Sequence, residues 1–269
     1  MKHFMGLTGL CLLLSLSTTT AREPVFHLPG SPDDAVRVCI IYDNYQENSG
    51  LQPDWGFACL VEYQGKLLLF DAGRNADIYR KNVELLEIKP QEIPTLFISH
   101  EHGDHTAGIP WICEKNPSVI CYLPATYAEK LKASDRLPAH SKAVSKPGHL
   151  YGPYYSTGEN FAVFKEQGLV IKTETGGVLI TGCGHPGAVE MVKMAQEELG
   201  IEVHTLIGGL HLMSTPGSKV EDIGEMLQKI GVKQICPTHC TGDKSIASLK
   251  ASYGDAYISG GTGKEIIIH

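Results

Sequence analysis

The sequence predicts an α/β fold in which mixed β-sheets carry helices on their outer faces. Apolar, β-branched segments are joined into hairpins by Gly-containing turns at residues 62–67 and 173–178. Segments with helical periodicity alternate with the later strand segments, and the alternation is repeated in the second half of the chain. Strands that alternate with helices are typical of sheets covered by helices, so these observations indicate the α/β class.

Each element follows from its local pattern. Alternation or β-branched runs predict strands at residues 36–44, 57–73, 93–99, 118–124, 161–182, 203–209, 232–239 and 264–269. Apolar residues at helical spacing predict helices at residues 77–88, 125–134, 188–200, 221–231 and 244–254. Residues 134–160 are rich in Pro, Gly, Ser, His and Tyr without periodicity, so we predict an insertion there or a lid over a site.

The first residues have the layout of a secretory signal peptide. Residues 1–21 combine a basic start, an apolar stretch of about a dozen residues and small residues that end at Ala21. The apolar stretch is shorter than the roughly 20 residues of a membrane span. We therefore predict a signal peptide at residues 1–21, a single domain at residues 22–269, and export to the periplasm or the extracellular space, with no membrane segment in the mature chain.

Composition narrows the class of partner. The chain has 269 residues, 42% of them hydrophobic, and a net charge of -7. A surface for nucleic acid or an anionic membrane needs clustered Lys and Arg, so we expect a small-molecule substrate and no nucleic acid. Nothing in the sequence indicates an oligomeric state.

The cysteines do not form a disulfide framework. Eight occur in the sequence, and with Cys11 in the predicted leader an odd number remains. Cys113 and Cys121 either pair, if export delivers the chain to an oxidising compartment, or pack as small buried hydrophobic residues.

Five predicted strands each end at a carboxylate or an imidazole. These residues are Asp71, His100, His185, His211 and His239. Because such strand ends gather along one edge of the sheets, we expect the five side chains to surround one ligand site. A single histidine is more often structural, but five together indicate a functional cluster.

The segment HEHGDH places four candidate metal ligands within six residues. His100 and His102 are two positions apart, so they point to the same side of an extended segment. Gly103 lets the chain turn, which directs Asp104 and His105 at a neighbouring point. The helical H-E-x-x-H pattern is absent, because Asp104 stands where its second histidine belongs.

HEHGDH matches the H-x-H-x-D-H signature of the metallo-β-lactamase superfamily. Asp71 in LLFDAG resembles the first motif of that family, His185 in TGCGHPG the third, and His239 in CPTHCTG the last. The resemblance covers essentially the whole chain after residue 21. It implies an αββα four-layer sandwich with metals at one edge of two sheets. TGCGHPG, GGLHL and THCTG are most similar to the dihydropterin / β-ribofuranosylaminobenzene 5'-phosphate synthase branch.

The resemblance also implies a ligand set of two zinc ions. The first ion is expected on His100, His102 and His185, and the second on Asp104, His105 and His239; manganese or iron also suits these ligand types. The superfamily usually supplies a bridging Asp between the third and last motifs, whereas residues 203–213 contain no carboxylate. The second ion is therefore expected to be held more weakly.

The leading hypothesis is a metallohydrolase in which a metal-activated hydroxide attacks an ester, lactone or phosphoester. Asp104 is expected to position the hydroxide and accept its proton. His211 is either a ligand, a proton donor or oxyanion partner that faces the substrate, or a histidine packed under its loop. Cys183 and Cys240 are expected to pack beside the ligands without binding metal.

Two alternatives belong to other classes of function. The first is a transferase that joins a pterin-type unit to an aryl-ribose phosphate, as the branch name implies. The second is a metal-binding or ligand-binding module without catalysis, which the intact H-x-H-x-D-H signature disfavours.

Overall fold

The computed structural model describes residues 35–159 and 163–269. Its strands within these residues are, in chain order, β1 Val36–Tyr42, β2 Ala58–Tyr63, β3 Lys66–Phe70, β4 Thr95–Phe97, β5 Ile120–Pro124, β6 Ser141–Val144, β7 Gly148–Tyr151, β8 Tyr154–Ser156, β9 Leu169–Lys172, β10 Gly177–Thr181, β11 Val203–Gly209, β12 Gln234–Thr238 and β13 Glu265–Ile268. Its α-helices there are α1 Ala76–Leu85, α2 Gly103–Thr106, α3 Ile109–Lys115, α4 Ala125–Ala133, α5 Ala188–Leu199, α6 Gly217–Lys229 and α7 Asp243–Tyr253.

The described strands form two mixed sheets. The order in the seven-stranded sheet is β13-β1-β2-β3-β4-β5-β6, and the order in the six-stranded sheet is β12-β11-β10-β9-β8-β7. Strands β3 to β6 run parallel, as do β10, β11 and β12, while the hairpins at the start of each half are antiparallel. The carboxyl ends of the parallel strands therefore lie along a common edge in each sheet.

The two sheets pack face to face and each carries helices on its outer face. In β1, Val38 and Ile40 lie in the core between the sheets, whereas Cys39 and Ile41 face the core beneath α1, α3 and α4. Successive residues of a strand point to opposite faces, so a strand covered on both sides is apolar throughout. A third core lies between the six-stranded sheet and α5, α6 and α7. The predicted αββα four-layer sandwich is confirmed.

The predicted helices at residues 77–88, 125–134, 188–200, 221–231 and 244–254 are confirmed with shifts of a few residues at their ends. Helix α3 was not predicted, because it has seven residues and Pro110 in its first turn looks like a break, although proline is tolerated there. The strand predicted over residues 161–182 divides into β9 and β10, and its described residues before β9 form a loop.

The insertion or lid predicted at residues 134–160 is wrong. This stretch contains β6, β7 and β8, which complete both sheets, with β6 at one edge of the first and β7 at one edge of the second. Edge strands expose much of their surface, so β6 and β7 lack the apolar pattern by which the other strands are recognised.

The predicted signal peptide at residues 1–21 has to be corrected. These residues lie outside the part of the chain that the structure describes, and neither the described residues nor the relatives given below support a cleaved leader, so that prediction is withdrawn. Export depended on this segment and, like the domain boundary at residue 22, stays a prediction. No helix among the described residues combines the length and apolar character that a membrane span needs.

Cys113 and Cys121 are free cysteines whose sulfur atoms lie 4.0 Å apart. Cys121 is buried in the core beneath the outer helices, and the partly buried Cys113 packs against the same core. Of the two alternatives left by the sequence, the structure therefore has the packed thiols.

Candidate metal centre

The five strand ends named by the sequence meet at one edge of the sandwich. Asp71 follows β3, and its carboxylate lies 2.7 Å from Nδ1 of His105. The ring centroids of His100 and His185 are 4.7 Å apart, as are those of His185 and His211. The His239 ring lies 5.1 Å from that of His105. The edge therefore brings together side chains from both sheets.

We call His100, His102 and His185 the first group. Nε2 of His100 lies 3.1 Å from Nδ1 of His102, and the rings of His102 and His185 are 4.9 Å apart. His100 is buried, whereas His102 is half-buried at the surface of the cluster. The group offers three imidazoles from two strand ends, β4 and β10, which suits a transition metal.

We call Asp104, His105 and His239 the second group. Oδ2 of Asp104 lies 3.4 Å from Nε2 of His239 and 3.8 Å from Nε2 of His105. Both imidazoles are fully buried. Asp104 and His105 lie in α2, directly after His102, so the chain turns at Gly103 as the sequence predicted. The rings of His100 and His105 are 4.2 Å apart, so the two groups adjoin.

Two buried side chains orient the imidazoles that follow β4. Asp71 accepts hydrogen bonds from the backbone and hydroxyl of Ser99, both at 2.7 Å, and pairs with Nδ1 of His105. The hydroxyl of Ser99 also lies 2.9 Å from Nδ1 of His100. With Nδ1 engaged, each ring presents Nε2 to the cluster, which is the usual arrangement of a histidine that binds metal.

Glu166 has the same role for His185 and was missed by the sequence analysis. One of its oxygens accepts from the backbone N–H of Gly182, Cys183 and Gly184 at 2.9–3.0 Å, and the other lies 2.8 Å from Nδ1 of His185. The carboxylate is fully buried. It therefore fixes the whole loop that carries His185, as well as the orientation of the ring.

His239 is oriented by a neutral partner at the end of β1. Its Nδ1 lies 2.9 Å from Oδ1 of Asn44, and its backbone N–H donates to Asp43 at 3.3 Å. Its φ of 48° is in the left-handed region, so the chain turns sharply at this residue. Asn44 was also missed, because nothing in the local sequence connects it with a histidine 195 residues further along.

The pKa values of Asp104 and Glu166 differ from what burial alone would give. Burial raises the pKa of Asp104, but the hydrogen bond with His239 and the charges of His105 and His239 bring it below the ordinary value. Burial likewise raises the pKa of Glu166, and the hydrogen bond with His185 and the charges of His100 and His185 bring it below the ordinary value. Both are therefore carboxylates at neutral pH.

The cluster fits a bound metal ion. Nε2 of His239 is buried, and its contact with Oδ2 of Asp104 at 3.4 Å is longer than a well-formed hydrogen bond. A buried imidazole nitrogen left unpaired is costly unless something else satisfies it. The described residues also contain several groups of His, Cys and Asp donors whose ligand atoms lie within 4.8 Å of one another. A cation held among these donors would satisfy this nitrogen.

His211 lies beside the first group and opens to solvent. It has a φ of 54°, and it is the only one of the five predicted strand-end residues that is exposed. The hydrogen bond with Cys240 raises the pKa of its imidazole above the ordinary value, against the effect of burial. A cavity of about 280 Å³ adjoins it, lined by His185, His211, apolar side chains of α5 and α6, and Lys219.

Two aromatic residues that the sequence did not single out cover the cluster. The indole N–H of Trp55 donates to Oδ2 of Asp104 at 2.9 Å, and its ring lies 4.8 Å from that of His239. Phe164, 48% exposed, lies 4.8 Å from the ring of His102 and 5.2 Å from that of His185. Trp55 thus covers the second group and Phe164 the first.

Comparisons with known proteins identify relatives of this arrangement. Residues 54–192 match the family model of the metallo-beta-lactamase superfamily. A 7,8-dihydropterin-6-methyl-4-(beta-D-ribofuranosyl)-aminobenzene-5'-phosphate synthase from Methanocaldococcus jannaschii is 28% identical, over 79% of this chain and 90% of its own length. A ribonuclease Z from Nanoarchaeum equitans is 44% identical over 35% of this chain and 33% of its own.

Among solved structures, the chain is similar to Tm1679, a metal-dependent hydrolase of the beta-lactamase superfamily. The TM-score is 0.70 at 22% identity, and the match covers 86% of this chain and 98% of Tm1679. At that identity the similarity establishes the fold.

Proposed function

The chain belongs to the metallo-beta-lactamase superfamily, and from that premise we propose that it is a metal-dependent hydrolase of a small-molecule ester, lactone or phosphoester. We propose further that the first and second groups each hold one metal ion, zinc by preference. The observation that carries the proposal is the orientation of the buried imidazoles. His105, His185 and His239 each engage Nδ1 with a neighbouring side-chain oxygen, which leaves Nε2 for a metal.

The donors suit zinc chemistry. Imidazole nitrogen and carboxylate oxygen are its usual ligands outside cysteine sites. A bound metal pair would supply Lewis acidity and lower the pKa of water from about 15.7 toward about 7.

Asp104 is the residue best placed to handle the water proton. Its carboxylate lies between His105 and His239, and Trp55 donates to one of its oxygens. Because its pKa is held below the ordinary value, Asp104 is ionised at neutral pH and can accept a hydrogen bond from water. The indole N–H fixes the orientation of the carboxylate, so the same oxygen always faces the cluster.

His211 faces the position that a leaving group would occupy. It lines the cavity with His185, and the hydrogen bond with Cys240 raises the pKa of its imidazole, which favours the protonated form relative to an ordinary histidine. We propose that it donates a proton to the departing oxygen. The apolar lining suits a substrate with an apolar part, and Lys219 and Glu190 supply one charge of each sign at the cavity.

The transferase is the second candidate. The synthase from M. jannaschii is similar along 79% of this chain, and the same cavity and cluster could hold a dihydropterin and a ribofuranosyl-aminobenzene 5'-phosphate. A transferase would be distinguished from a hydrolase by a coupled product that contains both the pterin unit and the aryl-ribose phosphate.

The test is metal analysis coupled to a substrate panel. The full chain is stripped with chelator, reloaded with zinc or manganese, and assayed on a phosphodiester, a lactone, a thioester, a β-lactam, a short RNA and the dihydropterin pair. We expect hydrolysis of one ester class that depends on reloaded metal. His185→Ala should abolish it, and His140→Ala, at an exposed histidine away from the cluster, should not. Undiminished hydrolysis after metal removal, or a coupled pterin product without hydrolysis, would contradict the proposal.

A further inference from the structure

Cys183 lies between the two groups rather than beside one of them. Its sulfur belongs to a set of donors with His100 and His185, and to another with His105 and His239; in each set the ligand atoms lie within 4.8 Å of one another. The thiol is buried, with 4% of the residue exposed. The rings of His100 and His105 are 4.2 Å apart, so the two groups adjoin, and the sulfur lies where they meet. It also belongs to a third set, with His211 and Cys240.

The separation from the second group suits a shared ion. Sγ of Cys183 is 3.3 Å from Nε2 of His105. Two ligand atoms on one tetrahedral zinc, with Zn–S of about 2.3 Å and Zn–N of about 2.0–2.1 Å, are about 3.6 Å apart. His239 contributes its buried Nε2 to the same set. The sulfur therefore stands where a further donor to an ion on His105 and His239 belongs.

The neighbouring strand end has no room for another donor. A Cβ on Gly209 would lie 2.4 Å from the carbonyl oxygen of Gly182 and 2.8 Å from Sγ of Cys240. Residues 203–213 contain no carboxylate at all. The space at the end of β11 is taken by the loop that carries Cys183, and Glu166 fixes that loop through the Cys183 N–H at 3.0 Å.

We propose that Cys183 is a thiolate ligand shared by the two metal ions, bound through Sγ to the ion of the first group and to the ion of the second. This corrects the sequence-based expectation that Cys183 only packs beside the ligands, and it rests on the metal binding in the proposed function. A thiolate is a soft ligand, so it favours zinc or iron over manganese and magnesium. Binding releases the thiol proton to solvent as the sulfur–metal bonds form.

Cobalt(II) loaded into the stripped full chain is the probe, because a cobalt–thiolate bond gives a charge-transfer band in the near ultraviolet that imidazole and carboxylate ligands do not. The variants are Cys183→Ser, Cys240→Ser and Cys236→Ser. Cys240 adjoins Cys183 and His211 but does not share a donor set with His105 or His239, and Cys236 is buried between the sheets. They are the matched controls, one near and one remote.

We expect the band in the wild type, in Cys240→Ser and in Cys236→Ser, and its loss in Cys183→Ser. Zinc affinity in Cys183→Ser, measured by chelator competition, should fall by at least about 10-fold. That is the smallest loss expected when a side chain that only orients a metal ligand is removed, and loss of a ligand should cost more. The band in Cys240→Ser reports on Cys183 even if Cys183→Ser does not fold. Cobalt bound without a band in the wild type, or a band lost in Cys240→Ser and kept in Cys183→Ser, overturns the shared thiolate alone. A chain that binds no cobalt overturns the metal site and the proposed function with it.

Discussion

The first and second groups occupy the same edge of the sandwich but are held by different neighbours. In the first, the carboxylate of Glu166 engages His185 and three backbone N–H groups of the loop that carries it. In the second, His239 is held by the neutral amide of Asn44. Each group thus has one imidazole held by a buried carboxylate, Glu166 or Asp71, and one held by a neutral side chain, Ser99 or Asn44. The groups differ because Glu166 also fixes the loop that carries its histidine.

The pKa values of the two buried carboxylates that orient histidines are shifted in opposite directions. Burial raises the pKa of both. For Glu166 the hydrogen bond with His185 and the nearby imidazole charges reverse that effect. For Asp71 burial outweighs the hydrogen bonds that Ser99 donates, so its pKa stays well above the ordinary value.

Removing a histidine from either group is expected to have the largest effect. His185→Ala and His239→Ala should each lower metal affinity by more than about 100-fold, since losing a ligand exceeds the 10–100-fold cost of losing its partner. The measurement is metal content after dialysis, with His140→Ala as the control. If the two variants retain different numbers of metal ions per chain, the comparison shows which group binds its ion independently of the other. Full metal occupancy in both variants would refute the assignment of these histidines as ligands.

The role of His211 is the next test, because it borders the first group without belonging to it. If His211 donates a proton, His211→Ala should lower kcat about 10²-fold and leave the metal content unchanged. Added imidazole should restore part of the rate by entering the space left open. If His211→Ala instead loses metal and imidazole does not help, the first group has a fourth member.

The anionic and neutral partners can be compared directly. Glu166→Gln should weaken metal binding by about 10–100-fold, and Asn44→Ala should lie at the lower end of that range, because only Glu166 contributes charge and fixes a loop. Chelator competition measures both, with thermal unfolding to separate loss of metal from loss of fold. Equal effects of the two substitutions would remove the distinction between the groups.

The smallest expected effect concerns the aromatic cover of the first group. Phe164 is 48% exposed above the rings of His102 and His185, so a substrate over the first group would contact it, and an aromatic contact contributes about 0.5–1.5 kcal/mol. Phe164→Ala should therefore raise KM by about 2- to 10-fold with little change in kcat. Val163, 94% exposed beside it, provides the control Val163→Ala. A fall in kcat with unchanged KM would indicate that Phe164 orders the histidines and does not contact the substrate.

The site could be predicted to the extent that its residues lie at strand ends. Strand, turn and motif are local features, so His100, His185 and His239 could be located from the sequence before any contact was known. The side chains that orient these histidines could not be located in this way. Asn44 and Glu166 come from other segments, and the residues around Glu166 have an apolar pattern that predicted a strand and concealed a buried loop carboxylate.

The fold shows the same division between strong and weak local signals. The central strands, such as β1, are apolar on both faces over most of their length and were predicted with small errors at their ends. The edge strands β6 and β7 expose much of their surface, so their composition resembled a loop. Their assignment depends on pairing with β5 and β8, which are contacts that a periodicity within one segment does not contain.

The pairing of β1 with β13 affects how the protein is made. Val36 faces Ile268 and Cys39 faces Glu265, so the first described strand gains its outer neighbour only when the last one has left the ribosome. Until then one edge of β1 carries unpaired backbone groups that can join another chain, and contacts of such sequence separation form slowly. His239 likewise meets Asn44 late in synthesis. Closure of the sheet therefore waits for β13, and a metal ion held through His239 would be bound only after that residue has been made.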